Sequence, residues 1–232
     1  MKKISLALSS ALMLLVALSS TANAVEPWAA GIKVNGLTRS LTNLDKATKP
    51  FAKPTTSMLN LGLLASAYGE YAFHDNVGAG LEAGFGFGQV GKLSNEKDQK
   101  SKPYSISMQN ITVSPYVKFY PLGREDENGI LYTSIKANWL VTLAVEGKQE
   151  ESKTEDKAQD KDIALGSFGA GLNAGWEFPF GLFTEVVFNY AFMGPLKKDQ
   201  DFQKTKLGLN EEVQLWDGGV ALGYNFAALF EE

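Results

Sequence analysis

A chain of 232 residues with 23 glycines, no cysteine, a single histidine and a formal charge of −4 excludes several classes at once. Without cysteine there are no disulfides and no thiolate metal sites, and mild acidity argues against a nucleic-acid partner, which needs a basic stripe. The length allows one domain of sandwich or barrel type.

Residues 1–24 read as a secretory signal peptide: Met1, Lys2 and Lys3 give a positive start, residues 4–18 an apolar run, and Ala22-Asn23-Ala24 a small-x-small cleavage site. The expected mature domain is 25–232. Nothing later in the chain has the length and apolarity of a spanning helix, so any membrane crossing is made with strands.

Trp28, Ala30, Ile32 and Val34 alternate with Ala29, Gly31, Lys33 and Asn35, the period-two signature of a first strand with two unlike faces. Residues 37–56, with two prolines, read as a long loop. A hairpin follows over 59–87, in which Leu59, Leu61, Leu63, Ala65 and Ala67, then Val77, Ala79, Leu81, Ala83, Phe85 and Phe87, share the apolar face. Its break is at His74-Asp75-Asn76, and Glu82 lies among the glycines of the other face. After a polar stretch, 88–104, a fourth strand sets Ile111, Val113, Pro115, Val117 and Phe119 against Asn110, Thr112, Ser114, Tyr116 and Lys118. Pro115 has no N–H for a ladder, which predicts a bulge or irregularity there.

Residues 121–129 form a second tight region, and the longest regular run follows, Leu131 to Val145, with Tyr132, Ser134, Lys136, Asn138 and Thr142 on its polar face. Residues 147–162 carry too little apolar content to fold alone. The sixth strand sets Phe168, Ala170, Leu172, Ala174, Trp176 and Phe178 against Ser167, Gly169, Gly171, Asn173, Gly175 and Glu177. A turn at Pro179-Phe180-Gly181 leads to Leu182, Thr184, Val186, Phe188, Tyr190 and Phe192 opposite Glu185, Val187 and Asn189. Beyond a polar loop, 194–212, the last strand sets Trp216, Val220, Leu222, Tyr224 and Phe226 against Asp217, Gly219, Ala221, Gly223 and Asn225.

Eight strands with connections alternating long and short predict an all-β fold: an eight-stranded antiparallel up-and-down transmembrane β-barrel, with both termini and the short turns on one side. A soluble barrel of lipocalin type has the same period with its faces reversed. Two patterns favour the membrane form. Stacking the strands collects aromatics at two levels: Trp28, Tyr71, Phe73, Phe119, Phe178, Tyr224 and Phe226 near the short turns, and Phe85, Phe87, Phe168, Tyr190, Phe192 and Trp216 near the long loops. Two belts are what the two interfaces of a bilayer select. The opposite face carries Lys33, Glu82, Lys136, Glu185 and Asp217 near mid-strand, where a cation facing lipid would cost roughly 2–4 kcal/mol. Pointing inward, these five can form a paired lumen network.

On these features the chain resembles the small eight-stranded outer-membrane β-barrels of Gram-negative bacteria, the family of OmpA transmembrane domains, OmpX-type and opacity-type surface proteins. The most specific piece is the end, Gly219-Val220-Ala221-Leu222-Gly223-Tyr224-Asn225-Phe226, which is similar to that family's last-strand assembly signal, with Gly219, Leu222, Tyr224 and Phe226 as its elements. Ala228 and Phe230 keep the parity of Phe226, so the strand is expected to overrun it. The resemblance implies export to the outer membrane, periplasmic termini, contact with outer-membrane lipids and lipopolysaccharide, insertion by the barrel assembly machinery, and a monomer with no cofactor.

No enzyme is expected. His74 falls in a short turn, away from the outer end, and no Ser-His-acid arrangement accompanies it. Gly86-Phe87-Gly88-Gln89-Val90-Gly91 matches a dinucleotide fingerprint but opens no helix. The acid-rich 150–162 segment lacks EF-hand spacing. Arg39, Lys46, Lys49 and Lys53 in the first loop, with Lys92, Lys97, Lys100 and Lys102 in the second, are candidate contacts for lipopolysaccharide phosphates. The expected function is that of a non-enzymatic surface protein contributing to envelope structure or external contacts through its loops. The alternative is a narrow channel for small solutes, constricted at the five charges.

Overall fold

The computed structural model describes residues 27–42, 53–55, 60–94, 104–124, 128–149, 165–195 and 213–229. The expected signal peptide, Lys46, Lys49, Lys97, Lys100, Lys102, the acid-rich segment and Phe230 lie outside the described residues. Eight long strands form the ring: β1 (Trp28–Thr42), β3 (Leu61–His74), β4 (Val77–Ser94), β5 (Tyr104–Phe119), β6 (Ile130–Gln149), β7 (Leu165–Glu177), β8 (Leu182–Pro195) and β9 (Val213–Asn225). A three-residue strand, β2 (Lys53–Thr55), pairs outside the ring with the far end of β4. Each ring strand is antiparallel to its neighbours, and β1 with β9 closes the circle, so no full-length edge is left open.

The two faces of each strand are turned as expected for the membrane form. Lys33, Asn35, Ser66, Tyr68, Glu82, Asn110, Lys118, Tyr132, Lys136, Asn173, Glu185 and Asp217 are buried, while Ile32, Val34, Leu63, Leu81, Val117, Ile135, Leu172, Val186 and Leu222 are exposed. The polarity is therefore inverted relative to a water-soluble barrel: polar and charged groups inside, aliphatic groups outside.

The inward glycines have a specific packing role. Tyr68, Tyr116, Tyr132 and Phe183 each stand directly across the ladder from a glycine, namely Gly31, Gly80, Gly175 and Gly223. A Cβ on any of these four would come within 2.7 Å of its partner's ring. The missing side chains let four bulky rings lie flat in an interior only wide enough for side chains to fill. In the third short turn Gly181 adopts φ +86°, a left-handed conformation that glycine takes without steric cost, and its N–H donates to the Phe178 carbonyl.

Several boundaries differ from the sequence reading. The polar stretches 37–56 and 88–104 were expected to be loop, yet β1 continues to Thr42 and β4 to Ser94, because pairing with β9 and β5 supplies the ladder bonds that polar side chains do not forbid. At Pro115 the pairing toward β6 is interrupted without a change of register, from Val113↔Trp139 to Tyr116↔Lys136; the bulge on that ladder lies instead at Gln109/Asn110. The last strand does not overrun: it ends at Asn225, and Phe226–Leu229 form a single 3-10 turn. The Asn225 side chain accepts the Ala227 N–H, and the Asn225 N–H donates to the Gly181 carbonyl, which together fold the chain back against the third turn.

The ring-on-glycine packing predicts a sharp positional contrast. Gly80→Val forces a side chain into the Tyr116 ring and is expected to abolish refolding, read as loss of the heat-modifiable band shift on electrophoresis. Gly36→Val, whose Cβ has no neighbour nearer than 3.9 Å, is expected to refold like the parent.

Candidate functional site: a charge-packed lumen

The candidate site is the lumen, and its central layer is a square of charges. Lys33 on β1, Glu82 on β4, Lys136 on β6 and Glu185 on β8 come from every second strand of the ring, so cation and anion alternate around it. The Lys33 ammonium lies 2.9 Å from Glu82 and 2.8 Å from Glu185, and Lys136 pairs with Glu82. Ser66 donates to Glu82 at 2.9 Å, and Asn173 and Tyr132 donate to Glu185 at 2.9 and 3.1 Å. Two cations and two carboxylates thus leave no unpaired charge, the condition under which such groups tolerate burial.

Four of the five expected lumen charges meet in this layer. The fifth, Asp217, does not join it. It sits nearer the long loops, where Arg39 grips it through Nε at 2.9 Å and Nη2 at 3.2 Å and donates from Nη1 to Asn110 at 3.1 Å. This corrects the placement of Arg39 among the loop cations: it lies within β1, is 3% exposed and points inward. The same odd-numbered parity that places Lys33 inside reaches Arg39 once β1 is allowed to continue past Leu37.

A third layer, near the short turns, was not singled out from the sequence. Glu70 on β3, Lys118 on β5, Glu177 on β7 and Asn225 on β9 occupy the other four strands of the ring. Lys118 is 2.7 Å from Glu70 and lies within 5.7 Å of the ring centroids of Tyr68, Tyr116, Tyr120 and Tyr132, closest to Tyr132 at 4.4 Å. Tyr116 and Tyr120 both hydrogen-bond Glu70, and Asn225 donates to Glu177 at 2.7 Å. The ammonium is thus held by a carboxylate and by four ring faces, an arrangement favourable to a desolvated cation. Parity alone marks Lys118 and Glu177 as inward; their company becomes visible only with the inter-strand register.

The thirteen belt aromatics all stand on the outer surface or at its end. Near the short turns, Trp28 meets Tyr71 with ring centroids 4.7 Å apart, Tyr71 meets Phe73 at 5.7 Å, and Tyr224 meets Phe226 at 5.9 Å. Near the long loops, Tyr190 contacts Trp216 at 4.4 Å and Phe192 at 4.7 Å, and Phe85 contacts Phe87 at 6.4 Å. Phe119, Phe168 and Phe178 are exposed. Trp139, exposed and paired with Phe168, belongs with the loop-side group although the sequence reading left it out. Of the assembly-signal residues, Leu222 and Tyr224 face outward from β9, Gly219 faces inward, and Phe226 opens the 3-10 turn. His74 is exposed at the end of β3, its Nδ1 accepting the Asn76 N–H at 3.3 Å.

This is an inside-out barrel. The chain is similar in structure to the outer-membrane protein OprG from Pseudomonas aeruginosa, at 17% identity and a TM-score of 0.48, over 86% of this chain and 94% of that one. Neisserial surface protein A, NspA, is similar over 87% of this chain and 99% of its own, at 9% identity and a TM-score of 0.43. Ail from Yersinia pestis in a phospholipid bilayer nanodisc is similar over 85% and 99%, at 16% identity and a TM-score of 0.37. No protein-family model and no curated protein matches the sequence.

Breaking the central square is expected to be costly. Lys33→Met leaves Glu82 and Glu185 without their shared cation and should lower unfolding stability by about 3–5 kcal/mol, measured by urea titration in detergent micelles. Arg39→Met with Asp217→Leu should cost less than Arg39→Met alone, because the double change removes the orphaned carboxylate together with its partner.

Proposed function

We propose that this chain is a bacterial outer-membrane barrel acting as a non-enzymatic surface protein, with its lumen as scaffold and its loop side as the working surface. The observation that carries this reading is the filled lumen. Three polar layers succeed one another along the axis, and two cavities between their described side chains measure about 30 Å³ and 10 Å³. Such spaces hold one or two water molecules and no hydrated solute. The membrane placement is supported by the inverted polarity and the two aromatic levels, and the signal peptide supports export, with periplasmic termini and insertion through the assembly machinery.

A role in external contacts draws support from the rim. The β4–β5 ladder extends to Leu93↔Tyr104 and the β5–β6 ladder to Tyr104↔Gln149, whereas the β6–β7 ladder reaches only Val141↔Gly166. Strands β2, β4, β5 and β6 therefore carry a sheet beyond the ring on the long-loop side. Lys53 and Lys92 lie on the paired strands β2 and β4 of that sheet, and with Lys46, Lys49, Lys97, Lys100 and Lys102 they form the cation set proposed for lipopolysaccharide phosphates.

The deciding measurement is single-channel conductance of the mature chain in planar bilayers, after insertion is verified by heat-modifiable mobility. An inserted, silent barrel is the expected result. Discrete steps that change on Lys136→Gln or Glu82→Gln would replace this reading with the narrow channel.

A further inference from the structure

The ladder between β1 and β9 closes the ring without a connection to set its register. Every other ladder of the ring joins strands that follow one another along the chain, whereas β1 and β9 are its first and last strands. A connection limits the registers open to the strands it joins, and this seam lacks that limit. Parity does not settle the matter either, because a slip of two residues keeps every side chain on its own face. On the outer wall such a slip sets Val34 opposite Val220 in place of Leu222, one aliphatic contact for another. On the inner face β9 presents Gly219, Ala221 and Gly223 between Asp217 and Asn225, so nothing larger than a methyl group interlocks with β1 along the middle of the seam. The Thr38 hydroxyl donates across the seam to the Gly218 carbonyl at 2.8 Å, but a backbone carbonyl is on offer at every register.

Two polar side chains on the inner face of β9 remain. Asn225 is tied to the Glu177 carboxylate and the Gly181 carbonyl, both on the β7–β8 side. Asp217 lies directly opposite Arg39 of β1, 178 residues away in sequence, and both are buried. Arg39 is also held from the far side, donating to Asn110 on β5. A two-residue slip carries Asp217 about 7 Å along the seam and sets Leu215 or Gly219 opposite Arg39, neither with a side-chain acceptor. The two-point grip is then lost, and a buried carboxylate loses its cation. Lys33, which crosses the seam to Glu185, discriminates less: it keeps Glu82 on its own side, and Glu185 keeps Tyr132 and Asn173. We propose that Arg39 and Asp217 set the register in which this barrel closes, a positioning role separate from the stability their pairing supplies.

The sequence has no cysteine, so introduced pairs on the outer face of the seam can read the register. Residues directly opposite lie roughly 4.5–5.5 Å apart and diagonal ones roughly 7–8 Å, the latter beyond ready disulfide reach. Val34→Cys with Leu222→Cys reports the observed register. Ile32→Cys with Leu222→Cys and Gly36→Cys with Leu222→Cys report two-residue slips in the two directions. Each pair is placed in the mature chain, which is refolded in detergent micelles and oxidised, and the disulfide fraction is measured by mass spectrometry. With Arg39 and Asp217 intact, the Val34 pair is expected to close and the other two to stay open. Arg39→Met with Asp217→Leu should raise the slipped-to-observed ratio roughly tenfold, the effect of losing a coupling of about 1.4 kcal/mol. Asp217→Asn, of the same shape, should raise it in the same direction by less, which keeps the proposal exposed if the apolar variant fails to refold. Leu215→Asp with Asp217→Leu moves the carboxylate two positions along the inner face and should favour the Ile32 pair alone. Lys136→Met breaks a lumen ion pair that does not cross the seam, and it should lower stability without raising the ratio. An unchanged ratio in the Arg39 and Asp217 variants overturns the proposal, as does an equal rise with Lys136→Met or a moved carboxylate that favours neither or both slipped pairs.

Discussion

An eight-stranded ring closes around a space that side chains must fill completely, and in this chain the fill is ionic. The constraint follows from the low dielectric of that space: a lone ammonium or carboxylate there carries a desolvation cost of several kcal/mol, so each charge that points inward dictates where another must point. Lys33 on β1 requires acceptors, and Glu82 and Glu185 reach it from strands on either side. Glu82 in turn fixes Lys136 on β6. Four strands that share no ladder with one another are thereby tied through the axis, while the other four meet in the Glu70, Lys118, Glu177 and Asn225 layer. Alternate strands contribute alternate layers because the tilt of the strands offsets, along the axis, the inward residues that pair across a ladder.

The glycines answer the same constraint from the other direction. Volume is conserved by pairing a ring on one strand with hydrogen on the next, as at Tyr68 over Gly31 and Phe183 over Gly223. On the outer wall the logic differs, because lipid or detergent, not the opposite wall, fills what a side chain leaves. Gly36 and Gly218 therefore make a depression where the inward glycines make a close fit. One residue type performs both tasks, and only the parity of its position separates them.

Much of this was legible in the sequence. Strand number and the long-short alternation of connections follow from period-two patterning; the inward face, and with it four members of the central square, needed the two aromatic levels and the mid-strand charges as well, because a soluble barrel has the same period with its faces reversed. What was not legible depends on register and on strand ends. Arg39 was read as a loop cation because residues 37–56 hold two prolines and several polar residues. Ladder bonds to β9 nevertheless carry β1 as far as Thr42↔Gln214, and they bring Arg39 opposite Asp217. The cage around Lys118 combines tyrosines from β3, β5 and β6 with Tyr120 beyond the end of β5, and no linear spacing encodes it. The turn at Phe226–Leu229 was missed because Ala228 and Phe230 continue the parity of the strand, whereas Asn225 captures the Ala227 N–H and ends it.

The charges raise a question of purpose, because an apolar filling of the same volume would be as stable as buried ion pairs or more so. Their advantage lies in the states they forbid. A wall that faces hydrocarbon outside and had hydrocarbon inside would differ little between its two faces, and a one-residue slip of any strand, which turns every side chain over, would carry little cost. With Lys33, Lys136, Lys118 and Arg39 inside, the same slip would drive a cation into the surrounding apolar phase at roughly 2–4 kcal/mol at mid-depth and would orphan its carboxylate as well. The penalty falls on each of the strands that carry a lumen charge, and every ring strand contributes a charge or, in β9, both Asp217 and the Asn225 amide that holds Glu177. A filled, ionic lumen is thus the means by which this sequence holds eight similar strands in one register.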